Sequence, residues 1–266
     1  MSPDAAGTPG KDVMQVLTGP EEFVLVRHAE SLGNVANQVA HDQAASRLDL
    51  EVRDADMMLS PLGVRQARAL GEHLDGLGEE RRPTRVFSSP YLRALNTAAA
   101  AAGRIDASIE VDERLREREL GVLDGMTSRG IRELYPAEAD RRKWLGKFYY
   151  RPPSGESWCD VVQRVRQFLM QLSMAQLEGE RVWVFSHQAV ILAFRVAFEG
   201  LSEKEVLDID ASAPVPNCSM TSYTAGSQGH WSLAAFADTS GVSELAPQTV
   251  EQPTPERRGG EDDRHR

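Results

Sequence analysis

Four basic side chains sit where short apolar runs end. Arg27 and His28 follow Phe23-Val24-Leu25-Val26. Arg93 lies five residues past the run Thr84–Ser88, and His187 follows Arg181–Ser186. Arginine forks match phosphate oxygens two at a time, and such charge-assisted bonds are roughly twice as strong as neutral ones. An imidazole beside them is a nucleophile or a base at neutral pH. If the four meet, they form an anion-seeking pocket, and the chemistry to expect is attack of neutral imidazole on phosphorus, giving phosphohistidine. The other ring nitrogen then carries the proton and donates it, with a backbone carbonyl as the natural acceptor. A departing alkoxide needs a proton in turn. Glu113, Glu117 and Glu119 crowd one short stretch, and spacing does not choose among them. Cations around such a carboxyl are expected to hold its pKa down until bound phosphate raises it.

Other chemistries lack their residues. Gly10-Lys11 has neither the upstream Gly nor the following Ser/Thr of a phosphate-cradling Walker loop, and no His-x-x-x-His or clustered Asp/His spacing marks a metal site. Phosphate would therefore be held without a metal.

The elements that must position these groups follow from pattern. Glu22–Arg27 and Arg181–Ser186 read as buried strands, with a shorter one at Thr84–Ser88 and another at Ser108–Val111. Open α/β sheets place ligands beyond the carboxyl ends of their parallel strands, which is where the four basic residues fall. Helices are predicted over Leu32–His41, from Ser60-Pro61 through Leu77, over Tyr91–Ala102, and over Thr127–Leu134 and Pro136–Phe148. Ser157 with Asp160, and Ser202 with Glu205, resemble capping boxes that start two more, and Gln188–Phe198 is an apolar helix. Gln43–Met58 has no period and reads as a long loop, in which Arg47 and Arg53 are candidates to close over phosphate. Leu115–Gly125 reads as a glycine-bracketed loop. Met220–Thr224 and Trp231–Phe236 form a candidate hairpin at one sheet edge. Strands alternating with helices predict one α/β domain with a largely parallel sheet over residues 21–237. Residues 1–20 and 238–266 are polar, rich in Gly, Pro and Glu, and aperiodic, and read as a disordered leader and tail.

At 266 residues with net charge −10, the chain is a poor candidate for general nucleic-acid or membrane-surface binding, and no apolar run reaches the length of a membrane span. Cys159 and Cys218 sit in no C-x-x-C or zinc spacing, and with no secretory apolar segment they point to free thiols in a cytoplasm. The oligomeric state is open. His41, His73, His230 and His265 read as structural or surface residues.

Five stretches together resemble the histidine phosphatase superfamily, also called phosphoglycerate-mutase-like. They are Leu25-Val26-Arg27-His28-Ala29-Glu30-Ser31 with Asn34, Asp56 to Gly63, Ser89 to Ala98, Leu115 to Gly125, and Ser186-His187. The resemblance implies a three-layer α/β/α sandwich with a mostly parallel central sheet. It implies His28 as the phosphorylated nucleophile, Glu117 as proton donor, and Arg27, Arg93 and His187 as the phosphate pocket, lined by Asn34. It implies no metal or organic cofactor, and a small phosphorylated metabolite as substrate. His187-Gln188-Ala189-Val190 and the stretch from Tyr135-Pro136 to Gly155-Glu156-Ser157 are similar to fructose-2,6-bisphosphatases, which would put Arg142, Lys147 and Gln188 against a sugar phosphate. Ser128 and Leu192 depart from that branch, which has Tyr and Arg there. The activity expected is phosphomonoester hydrolysis. Mutase-type phosphoryl transfer and fructose-2,6-bisphosphatase-like hydrolysis are the alternatives.

Overall fold

The computed structural model describes residues 19–250 apart from 176, 227–229, 244, 245 and 248. Along the chain run β1 (Glu22–Arg27), α1 (Leu32–Asp42), α2 (Pro61–Asp75), β2 (Arg85–Ser88), α3 (Leu92–Ala102) and β3 (Ile109–Val111). Then come α4 (Ser128–Leu134), α5 (Pro136–Leu145), α6 (Trp158–Ser173), β4 (Arg181–Ser186), α7 (Gln188–Glu199), α8 (Glu203–Ser212), β5 (Met220–Ala225), β6 (Trp231–Asp238) and α9 (Ser240–Ser243). The six strands make one sheet in the order β3-β2-β4-β1-β5-β6. β1, β4, β2 and β3 are parallel, and β5 and β6 add an antiparallel edge.

Alternation along the strands makes the layers. Phe23 and Leu25 of β1, with Val182 and Val184 of β4, pack under α6 and α7 against Val165, Phe168 and Phe194. Val24, Val26, Trp183 and Phe185 point the other way, onto Ala67 and Leu70 of α2 and Ala98 and Ala101 of α3. Both faces are covered, which is why these strands read as nearly continuous apolar runs.

Helix starts follow their predicted caps. Ser60 accepts from the Gly63 amide with Pro61 at the first helical position, and Ser157/Asp160 and Ser202/Glu205 close reciprocal capping boxes. Gly63 also answers a close approach. A Cβ there would lie 1.9 Å from the Glu30 carbonyl oxygen, so α2 can enter tight against the turn that follows β1. The helix predicted over Pro136–Phe148 stops at Leu145, because Gly146 turns to φ +78°.

The boundary expected at residue 237 falls short. β6 continues to Asp238, α9 follows, and Val242 and Ala246 are buried against the α2/α3 face. Beyond α9 the chain straps across the domain. The Asn217 amide donates to the Thr249 carbonyl, and Gln66 Nε2 of α2 donates to Pro247 O and Thr249 Oγ1. Composition hid this, because two buried apolar side chains suffice to anchor a polar segment that lacks any period. The predicted leader up to residue 18, and the predicted tail from 251 on, lie outside the described residues. No helix among the described residues is long and apolar enough to cross a membrane.

Candidate active site

The parallel strands bring Arg27, His28, Arg93 and His187 to one side of the sheet, and all four are buried. The His28 and His187 rings lie 5.1 Å apart. His28 Nδ1 is 2.7 Å from the Ala29 carbonyl oxygen, which accepts its proton and leaves the Nε2 lone pair outward. Arg93 Nε donates to that lone pair at 3.3 Å. The turn is held from several sides. Thr97 Oγ1 of α3 accepts from the Ala29 amide and donates to the Arg93 carbonyl. Asn217 Nδ2 donates to the His28 carbonyl at 2.9 Å, and Cys218, with its backbone in the left-handed region, donates its amide to the Arg27 carbonyl.

His187 Nε2 is 2.8 Å from Ser89 Oγ. The other partner of that hydroxyl is the Tyr91 amide, itself a donor, so Nε2 is the partner that can accept the hydroxyl proton, which puts the ring's own proton on Nδ1. Nδ1 is buried with no hydrogen-bond partner. A buried donor left unsatisfied costs about 1–3 kcal/mol, so it is poised for an incoming acceptor. Burial, then the neighbouring arginines, push both imidazoles well below the usual histidine range, so both are neutral at pH 7.

Arg27 Nη1 donates to the Val215 carbonyl at 2.5 Å and to Gln188 Oε1 at 3.3 Å. Gln188 Nε2 donates to Asp210 Oδ1, and Lys147 Nζ pairs with Asp210 Oδ2 at 2.8 Å. A chain of polar contacts thus joins Lys147 to Arg27. Asn34 serves the α1 cap: its Oδ1 accepts from the Ser31 amide and hydroxyl.

Glu117 sits in the loop after β3, held from below by Ser186 Oγ donating to the Leu115 carbonyl and by Arg164 donating to the Leu115-flanking Arg114 and Glu117 carbonyls. Its Oε1 accepts from the Arg118 amide at 2.7 Å. Burial pushes its pKa up to about 7, against the lowering effect of that amide and of Arg93. The expectation of a depressed pKa is overturned, because desolvation outweighs the cations. Of its neighbours, Glu119 instead accepts from Tyr91 Oη.

A cavity of about 400 Å³ is lined by Arg118, Arg142, Lys147, Tyr150, Ala40 and Met126 and by none of Arg27, His28, Arg93, Glu117 and His187; Arg118, next to Glu117 in the chain, and Lys147, through Asp210, connect it to them. Five of its lining side chains are arginine or lysine and none is acidic, which suits it to an anion. Burial, then the charge of Arg142, pull the Arg118 pKa down to about 10, against the raising effect of Glu117, Asp210 and Glu156. His41, read as a structural or surface residue, is exposed and lines the same cavity.

The loop from 43 to 58 departs from expectation. Arg53 points to solvent and pairs with Asp56, and Arg47 bridges to Met126 through its backbone. The residue that reaches the site is Asp54, whose carboxylate clamps Arg93. Asp54, Ser89, Arg164 and Asn217 were not legible as site residues. Ser89 alone carried a signal, as the first residue of the Ser89–Ala98 motif. Among the described residues no group of three or more His, Cys, Asp or Glu side chains is gathered as a metal would need.

Known proteins resemble this chain in sequence and fold. The family model of the histidine phosphatase superfamily (branch 1) matches residues 23–239. A 6-phosphofructo-2-kinase/fructose-2,6-bisphosphatase of Caenorhabditis elegans is 32% identical over 200 residues, 74% of this chain, yet the match spans only 38% of that longer protein. A 2,3-bisphosphoglycerate-dependent phosphoglycerate mutase of Methylorubrum populi is 28% identical over 73% of this chain and 86% of its own. A mycobacterial glucosyl-3-phosphoglycerate phosphatase, solved with VO3, superimposes with a TM-score of 0.63 at 27% identity, covering 81% of this chain and 98% of that one. With two buried imidazoles and two arginines gathered over the strand ends of a mostly parallel sheet, and a family match across most of its length, the chain belongs to branch 1 of the histidine phosphatase superfamily.

Proposed function

We propose that the protein hydrolyses a small phosphomonoester through a phosphohistidine on His28. The observation that carries this reading is the pair of neutral imidazoles, one offering a lone pair at Nε2 and the other an unpartnered N–H at Nδ1. In this reading the substrate phosphoryl group lies among Arg27, Arg93 and His187. His28 Nε2 attacks phosphorus in line, the P–O bond to the alcohol breaks, and Glu117 gives its proton to the departing oxygen. Water then attacks the phosphorus, Glu117 takes back a proton, and the P–N bond breaks to release phosphate and neutral His28. The arginines meet the charge of the transferring group, the usual source of catalysis in phosphoryl transfer.

The cationic cavity favours a substrate with a second anionic group, held by Arg142, Lys147 and Arg118 while Gln188 links that end to Arg27. A small phosphorylated metabolite fits the volume. The resemblance to a glucosyl-3-phosphoglycerate phosphatase, whose substrate carries a carboxylate besides its phosphate, supports the same class. The test is a phosphatase screen over phosphorylated metabolites, with His28→Ala as control and 2,3-bisphosphoglycerate added to a 3-phosphoglycerate arm. Phosphate release lost in the variant supports the reading. Turnover seen only with the bisphosphate primer replaces it with a mutase, and no turnover of any substrate sinks it.

A further inference from the structure

Arg93 has five N–H bonds, and their partners divide them into two edges. Nη1 donates to the Asp54 carbonyl at 2.6 Å and to Asp54 Oδ1 at 3.0 Å, while Nη2 donates to Asp54 Oδ2 at 2.9 Å. This is an end-on fork, with both terminal nitrogens on one carboxylate. The opposite edge, made of the Nε–H and the second Nη2–H, faces His28, and Nε lies 3.3 Å from the nucleophilic Nε2. Asp54 can hold one edge without covering the other. Its side chain is 40% exposed whereas that of Arg93 is 6% exposed, so the carboxylate sits at the rim and the guanidinium reaches inward from it. The short turn Asp54–Asp56 fixes the carboxylate from outside, closed by the Arg53–Asp56 ion pair.

We propose that Asp54 is a positioning residue that grips the outer edge of Arg93, so that the inner Nε/Nη2 edge is presented as a ready fork to the phosphoryl group on His28. This rests on the phosphohistidine reading above. A long guanidinium side chain loses rotamer freedom when it binds, and a partner that has already fixed its plane removes that loss at the moment phosphate arrives. The competing idea is that Asp54 occupies the place of phosphate and must be displaced. Asp54 leaves the Nε–H and the second Nη2–H of that inner edge unused, which speaks against displacement.

The two ideas differ in sign. Calorimetric binding of inorganic phosphate to the full chain is compared for wild type, Asp54→Asn and Asp56→Asn. Asp56→Asn removes the same charge from the same turn without touching Arg93. We expect Asp54→Asn to weaken phosphate binding about tenfold, the size of one charge-assisted contact, while Asp56→Asn stays within about twofold. A double-mutant cycle on p-nitrophenyl phosphate supplies the second readout. With Arg93→Ala in place, Asp54→Asn should change kcat/KM by less than about twofold, since no fork is left to orient. Tighter or unchanged phosphate binding in Asp54→Asn overturns the proposal, as does an equal loss in both backgrounds. If the wild type binds phosphate but turns over nothing, the hydrolase reading fails while the binding arm still decides this one. If it binds no phosphate at all, both fall.

Discussion

Glu117 offers the sharpest test of how the site works. A carboxyl titrating at about 7 is about half protonated at pH 7, whereas one left at 4.5 would be protonated about 0.3% of the time, so burial multiplies the competent acid by roughly 150. With Glu117 in the proposed acid role the active form is the protonated one, so activity should be full below the pKa and fall as pH rises through it. For a substrate with an alkoxide leaving group, log kcat/KM should fall with unit slope above pH about 7, reporting the free enzyme. The corresponding limb of kcat should lie at higher pH, because a bound phosphoryl dianion adds negative charge beside the carboxyl. Glu117→Gln should erase the limb and cost about 10²–10⁴-fold in kcat on alkyl phosphates, but little on p-nitrophenyl phosphate, whose leaving group needs almost no proton. Stopped assays of both substrates from pH 5 to 9 give the comparison. Equal losses on the two substrates, or a limb that survives in the variant, would remove Glu117 from the acid role.

Further outcomes check other parts of the molecule. His28→Ala should abolish turnover, and rapid-quench labelling of the wild type with ³²P-substrate should give a phosphoenzyme that is stable in base and lost in acid. Because both imidazoles are held well below the usual histidine range, kcat/KM should show no histidine limb on the acid side, only the substrate's own second ionisation near about pH 6. Lys147→Ala and Arg142→Ala should each raise KM by about tenfold for substrates with a second anionic group and leave p-nitrophenyl phosphate within about twofold. Ending the chain after Asp238 removes the burial of Val242 and Ala246 and the Thr249 hydrogen bonds, and should lower the melting temperature by roughly 10 °C in a calorimetric scan.

Much of this was legible in the sequence, for local reasons. A β-branched run ending in Arg27-His28 is both a buried strand and a strand end, so one pattern placed the element and the chemistry at once. Ser60, Ser157 and Ser202 announced their helices because a cap is decided within four residues. What stayed hidden depends on contacts across the fold. Asp54 lies in a loop without period, and only the approach of α3 tells it apart from Asp56 two residues on. Glu117 was read beside cations visible in the chain, but the desolvation that outweighs them is a property of packing around Arg164 and Ser186 and has no local signature. The segment after Asp238 has the composition of a tail, and its anchoring rests on Val242, Ala246 and Thr249 meeting α2 and Asn217.

That last strap has a consequence for how the protein comes into being. Thr249 Oγ1 donates to Asn217 Oδ1, and the side-chain amide of the same Asn217 holds the carbonyl of His28, 189 positions earlier in the chain. A nascent chain can therefore complete its sheet and still lack a finished reaction centre until residue 249 has left the ribosome. Clipping by a protease between Asp238 and Thr249 would undo the same assembly, making hydrolytic competence a report on whether this far end of the polypeptide is intact.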